Sequence, residues 1–423
     1  MQRSTLAILS VSATLVAVGC GSGGGDSNMF PDLKTVIGIT NVTVGTNFSF
    51  DISAVDARNG RMYFTDRNNK SVDVIDVATN KLVKQITGGF AGCNTGPTCA
   101  GANNDKSGPD GLNVIPGTTL IYVGDVNSVK IIDTTTDTVV NTIAIGGTSG
   151  LRADEGCYDP DDHLFMINSP GESPPFATFI DTTTQTIVAT LLFTDPGSGA
   201  AGPASAGLEA CVYDHATASF LNNNDGTTAN PNGEIDVIPA SFVLAGAHPA
   251  TLTLPVPTAA NGFKIFPLGN CDPTGIDLGP GTDVAVSCRQ GTPGAALTVE
   301  ILDRTNGTLL KTLNAGGGDQ ITYDAPTNKY YLAASRWTAN GMSSGAACTA
   351  ASPCTPVLQI IDAGSRSVVK TLPTGNNAHS VAVDPASHQV YMPFSSSSAP
   401  AGCSTCEATD PLLAGGGVLV FQE

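Results

Sequence analysis

The chain has 423 residues and a formal charge of −18 at pH 7, yet only 13% of its residues are charged. That balance argues against nucleic acid and an anionic membrane surface as direct partners, and leaves cations, basic proteins or no role beyond solubility. Abundant Gly (48) and Pro (27), with few helix-period stretches, indicate many short strands joined by tight turns.

Arg3 opens a thin positive segment, and Leu6 to Val18 form an apolar run too short for a membrane span. The run ends in VAVGC, followed by GSGGGDSN. This resembles a bacterial lipoprotein signal with Ala17-Val18-Gly19-Cys20 as the lipobox. The resemblance implies that residues 1–19 are removed, that Cys20 is acylated, and that 20–32 form a Gly/Ser-rich tether. Gly21 is not an inner-membrane retention residue of the Asp type, so the implied address is the cell envelope, lipid-anchored at the outer membrane, on its periplasmic or surface side.

From residue 33 onward one plan recurs. SAVDARNGRMYFTDRNNKSVDVIDVATNKLVKQI shows it in full: an apolar strand ending in Asp56, a short turn, a strand around Tyr63, a loop, a third strand VDVID, a tight turn and a fourth strand KLVKQI. LNVIPGTTLIYVGDVNSVKIIDTTTDTVVNTI is the second copy, and FATFIDTTTQTIVATL, LTVEILDRTNGTLLKTL and VLQIIDAGSRSVVKTL carry the later halves of the third, fifth and sixth. Four short strands at a repeat of roughly forty to fifty residues are the signature of propeller blades. The seventh unit begins at SVAVDPASHQVYMPF and stops after a third strand, GVLVFQE; LKTVIGITNVTV, near the start of the mature chain, can supply the fourth. Pairing the two ends removes edges that an open sheet would expose. The expectation is therefore an all-β, seven-bladed propeller of four-stranded antiparallel blades over 33–423, a single domain closed by an N-terminal strand.

SVAVDP, LIYV, and VIDVATNKLV or IIDTTTDTVV resemble the YVTN-repeat β-propeller family over most of the chain from about residue 34, most weakly in the fourth blade. The resemblance implies the fold and leaves function open, because such propellers include surface and periplasmic binding proteins and related ones include lactonases and lyases.

Eleven cysteines less Cys20 leave an even number, which suits disulfides in an oxidising compartment. Three pairs are local: Cys93 with Cys99, Cys348 with Cys354, and Cys403 with Cys406. Cys271 and Cys288 would face each other across a hairpin, which leaves Cys157 with Cys211 by elimination. Metal thiolates would need paired CxxC knuckles, which are absent.

In a propeller the first-to-second and third-to-fourth turns share one face. Here those turns are short: DARNGR, PASHQ, ATNK, TTTD. The long insertions fall in the links and second-to-third loops of the opposite face, together with the local disulfide pairs. Such pinned loops indicate a binding surface for a small ligand or a protein.

Counting five residues back from the Asp that ends each inner strand gives Asp51, Asp110, Asp154, Glu209, Asp272, Asp319 and His379; the second blade, with Ile115 in the terminal place, is aligned on Tyr122. These positions surround the channel mouth on the decorated face. Two carboxylates about 8 Å apart repel by roughly 2 kcal/mol at an effective dielectric near 20, so the ring must take up protons, pair with Arg or Lys, stay hydrated or bind a cation. Asp66, Asp125, Asn168 and Asn223, three residues past the second-strand aromatic, form a second tier on one side. Oxygen ligands without clustered His or thiolate suit calcium or magnesium, although strand-end Asp and Asn also commonly satisfy local backbone N–H groups. The loop Asn222 to Glu234 is oxygen-rich but lacks EF-hand spacing. Arg67, Arg289 and Arg336 follow second strands at the same rim, where they neutralise the ring or hold an anionic ligand group. Trp337, the only tryptophan, begins a rim loop and packs it or contacts ligand. His379 is the one catalytic candidate, as acid or base among carboxylates; no nucleophile elbow, zincin motif or phosphate loop occurs.

Three functions remain: a lipid-anchored binding propeller holding a cation, small ligand or protein; a metal-dependent enzyme of the lactonase or lyase type; and a purely structural envelope protein.

Overall fold

The computed structural model describes residues 32–43, 47–194, 207–289, 293–343, 354–395 and 415–423. The signal, Cys20, Cys348, Cys403 and Cys406 lie outside them.

Seven small antiparallel sheets make the propeller. The first blade is Phe50–Asp56, Arg61–Asp66, Ser71–Asp76 and Lys81–Thr87, in that order from the axis outward. The second (Leu112–Val114 to Thr138–Ala144), fifth (Pro273–Leu278 to Thr308–Leu313) and sixth (Ile321–Asp324 to Ser367–Pro373) repeat it. The seventh closes the ring as expected. Leu33–Ile37 pairs with the last strand, Gly417–Gln422, with Leu33 opposite Phe421 and Ile37 opposite Val418. Packing closes along with pairing, because Ile37, Phe50 and Met62 share one apolar cluster with Tyr391, Val418 and Val420.

Burial follows from stacking the blades face to face. Third strands such as Ser71–Asp76 are covered on both sides, whereas outer strands such as Lys81–Thr87 keep one face in water. Each core cluster therefore mixes two neighbours: Ile52, Tyr63 and Val72 of the first blade pack on Leu112, Ile121 and Ile132 of the second.

The turns explain most of the recurring acids. The Asp that ends an inner strand accepts turn N–H groups on the plain face: Asp56 from Arg58 N (3.1 Å), Asp159 from Asp161 N (2.8 Å), Asp384 from Ser387 N (3.0 Å). Asp76, Asp303 and Asp362 at third-strand ends likewise accept both the N–H and the hydroxyl of Thr79, Thr305 and Ser365. Each first-to-second turn also needs one residue with positive φ. Gly60 (64°) supplies it at no steric cost in the first blade, while His163 (55°) and Asn328 (55°) tolerate it elsewhere.

The fourth blade departs from the repeat. Its third strand, Glu234–Pro239, runs into a one-turn helix, Ala240–Val243, and its fourth strand, Lys264–Pro267, comes only after a long excursion. Within that excursion Ala250–Thr253 lies parallel to Thr186–Leu192 and gives the third blade a fifth strand. This insertion follows a third strand and so belongs to the plain face, an exception to the expected one-sided decoration.

The disulfides Cys93–Cys99, Cys157–Cys211 and Cys271–Cys288 all form. Cys354 is also disulfide-bonded. Cys157 and Cys211 tie the inner strands of the third and fourth blades across a sequence separation of 54. Cross-linking a loop of that length restricts the unfolded chain, so Cys157→Ser/Cys211→Ser should lose about 2–4 kcal/mol in denaturant unfolding. Cys93→Ser/Cys99→Ser, which opens a separation of only 6, should lose clearly less. Equal losses would contradict the chain-entropy account.

Candidate functional site

The inner strands converge, and the residues at their starts meet at the decorated mouth of the channel. Close approach there requires missing side chains: a Cβ on Gly111 would lie 1.7 Å from the carbonyl oxygen of Asp154, and one on Gly275 2.1 Å from that of Asp319. The mouth encloses a cavity of about 280 Å³ lined by Asp51, Arg67, Arg152, Asp154, Glu155, Glu209, Arg289, Asp319, Ser335, Arg336 and His379, among others. Below it lies the channel itself, about 430 Å³, lined by all seven inner strands. Glu155 borders both.

The expected ring does not form one group; it divides. Asp51, Asp110 and Asp154 bring carboxylate oxygens within 4.8 Å of one another, and so do Glu155, Glu209 and Asp319. Asp272 joins neither group and turns to Arg289 (Nε to Oδ2, 3.0 Å).

The first group is neutralised. Arg67 donates from Nε to Asp110 (2.8 Å), from Nη1 to the Phe50 carbonyl (3.0 Å), and from Nη2 to both Asp51 and Asp110. Arg152 reaches Asp154 (2.8 Å), Asp51 (3.4 Å), Asp110 (3.6 Å) and Asp105 (3.4 Å). Asp105 lies in the short 3₁₀ turn Asn104–Lys106, so the loop that carries the Cys93–Cys99 bridge reaches back to the mouth. His379 stacks on Phe50 (centroids 4.5 Å apart), with Nδ1 2.8 Å from the Asn377 carbonyl and Nε2 3.5 Å from Asp51. Burial opposes its charge, but the Asp51 carboxylate outweighs burial and raises its pKa. Asp51 is itself held well below the ordinary carboxylate range; burial works against this, and Arg67, His379 and Arg152 overcome it. Complete burial pushes Asp110 up despite both arginines, and pushes Asp154 to about 7.

The second group is short of cations. Arg289 contacts Glu209 (3.2 Å) but is shared with Asp225 (3.4 Å) and Asp272. Neither Glu155 nor Asp319 has a side-chain hydrogen bond or ion pair among the described residues. Burial, and then neighbouring carboxylates, raise Glu155 and Glu209 well above the ordinary range. Burial takes Asp225 to about 6 against the pull of Arg289. Arg336 lines the cavity without an ion pair among the described residues, its pKa depressed by burial and by Arg289.

The second tier does not face the cavity. Asp66 accepts from Asn69 N (2.9 Å) and Nδ2 (2.7 Å), and Asp125 accepts from Ala91 N (3.1 Å) and sits 3.7 Å from Lys130. Asn168 donates to the Glu209 carbonyl (2.6 Å) and Asn223 to that of Thr274 (2.7 Å), each bridging to the next blade. Asp66 thus holds the loop of its own blade, Asp125 the link to the second blade, and the two Asn the neighbouring blades, each by satisfying backbone groups. Trp337 is half-buried and packs against the apolar cluster of the fifth and sixth blades.

Sequence reading passed over Glu155 and Arg152. The strand count selects one acid per blade, so the second acid of ADEG was not counted; only arginines after second strands were weighed, and Arg152 stands in a link.

No protein-family profile and no curated relative matches the chain. Solved structures do. A hydrazine synthase of Kuenenia stuttgartiensis aligns at a TM-score of 0.59 and 13% identity over 91% of this chain and 98% of that one. A chain of a mitotic checkpoint complex aligns at 0.56 and 9% over 99% of each. The neighbours are propellers. At this identity they establish the architecture and nothing about the mouth.

Two outcomes follow from the electrostatics. Arg67→Met leaves Asp51 and Asp110 buried beside a single arginine and should cost about 3–5 kcal/mol at pH 7, a loss that adding Asp110→Asn partly restores. Asp225, at about 6 when folded against 3.8 as its ordinary value, keeps its proton in the folded state after the unfolded chain has released it. Its contribution to stability therefore falls as pH rises through that window. Melting of the ligand-free protein between about pH 4 and 6 should show a pH slope that is more favourable to the high-pH end in Asp225→Asn than in wild type, by up to roughly 1.4 kcal/mol per pH unit.

Proposed function

We propose that this protein is a lipid-anchored binding module of the bacterial cell envelope, and that its channel mouth holds a positively charged ligand, a divalent cation in the simplest case. The VAVGC–Gly/Ser sequence supports the anchor, and the repeat phrases support membership of the YVTN-type propellers. The observation that carries the binding reading is the Glu155–Glu209–Asp319 group: three carboxylates with oxygens within 4.8 Å, two of them without any protein partner among the described residues, in an open cavity. Mutual repulsion at that distance is relieved by a cation or by protons. All-oxygen donors suit calcium or magnesium, with water completing the shell. The Asp51–Asp110–Asp154 group already holds two arginines and serves as the wall of the site.

The alternative reading is a metal-dependent lactonase- or lyase-type enzyme that uses the same carboxylates as ligands and His379 as acid or base. His379 faces acceptors from both ring nitrogens, and the Asp51 carboxylate raises its pKa against burial, which disfavours it as a base. That favours binding over catalysis.

The test is a calcium and magnesium titration of the dialysed mature chain by calorimetry and thermal melting. Wild type should bind one ion, Glu155→Gln/Asp319→Asn should lose it, and Asp236→Asn, which removes a buried acid inside the fourth blade, should keep it. Binding should weaken as pH falls, because Glu155 and Glu209, both raised above the ordinary carboxylate range, must give up protons to bind a cation. No heat and no melting shift at about 10 mM calcium, beyond the millimolar range of weak extracellular sites, would sink the reading.

A further inference from the structure

The mouth cavity holds an arrangement that a bare metal ion does not account for. Arg336 follows the second strand of the sixth blade, Lys329–Ala334, and its backbone is fixed by donation from its N–H to the Gly317 carbonyl (2.7 Å). Its guanidinium lines the cavity, and no carboxylate of the described residues lies within ion-pair distance. Every other arginine of the mouth is committed: Arg67 and Arg152 to the first acidic group, Arg289 to Glu209, Asp225 and Asp272. Next to Arg336, Ser335 is only 8% exposed and lines the same cavity, with no hydrogen-bond partner for its hydroxyl among the described residues. A hydroxyl and a guanidinium that open onto the cavity without a protein acceptor mark a place where a ligand's acceptor fits. The same cavity is also lined by Glu155, Glu209 and Asp319, which lack donors.

A single cavity thus presents a guanidinium and carboxylates that act on one another through space but form no direct ion pair. A plain cation would satisfy the acids and leave Arg336 worse placed. A plain anion would do the reverse. A molecule with both charges satisfies both. We propose that the ligand of the mouth is a free α-amino acid, its carboxylate on Arg336 and Ser335 and its ammonium on Glu155, Glu209 and Asp319. This rests on reading the mouth as a binding site and specifies what fills it. The guanidinium fork matches a carboxylate in a bidentate manner, and an ammonium has three donors for three carboxylates. A volume of about 280 Å³ is at the small end of organic-ligand pockets. The half of the mouth with Glu155, Glu209, Asp225, Asp272 and Asp319 has only Arg289 and Arg336 against five acids. A basic side chain is therefore favoured, and the lysine class is preferred over the glutamate class.

Calorimetric titration of the full mature chain with L-lysine, L-lysine methyl ester, Nα-acetyl-L-lysine, L-glutamate and calcium chloride tests this. L-lysine should bind, and both the ester and the acetylated form should be at least about tenfold weaker. Calcium should compete with L-lysine for the carboxylates. Arg336→Gln should abolish the preference for L-lysine over its ester, with Arg336→Lys as the variant that keeps the charge and loses only the fork. Ester binding as tight as L-lysine or tighter, as a simple cation site would give because the ester has more net positive charge, would overturn the inference. Calcium binding with no response to any amino acid would overturn it too while leaving the binding-module reading intact, and silence toward both calcium and the amino acids would sink both.

Discussion

Seven inner strands converge on one axis, and that constraint organises everything else in the molecule. Residues that start different blades are far apart in sequence, yet convergence brings Asp51, Asp110 and Asp154 within 4.8 Å of one another. Like charges forced that close cannot all remain ionised and unpaired. The fold therefore has to provide arginines, retain protons, or leave the charge for something outside the protein. The mouth does all three, in different sectors. Arg67 and Arg152 answer for the first group, burial raises the pKa of Glu155 and Glu209, and Glu155 with Asp319 remains without a protein partner among the described residues.

The division has a structural cause. Arg67 stands directly after the second strand of the first blade and Arg152 in the link before the third, so they approach the same acids from two sides, aided by the Asn104–Lys106 turn. On the other side Arg289 is shared, because Asp225 and Asp272 both compete with Glu209 for one guanidinium. The five-acid sector is left short of cations because its arginine is shared. That makes the first sector a support, well packed and mutually satisfied, and the second the part with chemistry left over.

Much of this was legible in the sequence, for a definite reason. Strand period, turn residues and the truncated seventh unit are local or arithmetic properties, so the blade count and the closure through Leu33–Ile37 could be read directly. So could the hairpin disulfide Cys271–Cys288, and the parity of the cysteines left Cys157 and Cys211 to each other. What could not be read was direction. Asp56 and Asp51 belong to the same strand, but one caps a turn on the plain face and the other enters the mouth. Asp66 and Asn168 sit at strand ends next to the mouth, yet Asp66 accepts from Asn69 in the loop of its own blade and Asn168 donates to the Glu209 carbonyl of the next. The parallel strand Ala250–Thr253 was hidden for a related reason, since it adds a fifth strand to a neighbouring blade and leaves no mark in the period of its own.

The same reasoning separates the recurring acids by function. An Asp that accepts turn N–H groups, as Asp76, Asp303 and Asp362 do, lies below the ordinary carboxylate range because those hydrogen bonds favour its charged form. Glu155 and Glu209 have moved the other way, because burial beside like charges disfavours theirs. Two populations of acidic residue, drawn from one repeat, thus carry opposite electrostatic histories. The turn acids stabilise the fold in their ionised state and need nothing more. Ionising the mouth acids of the second sector without a partner costs free energy, so a positive charge bound there would offset that cost and stabilise the folded chain.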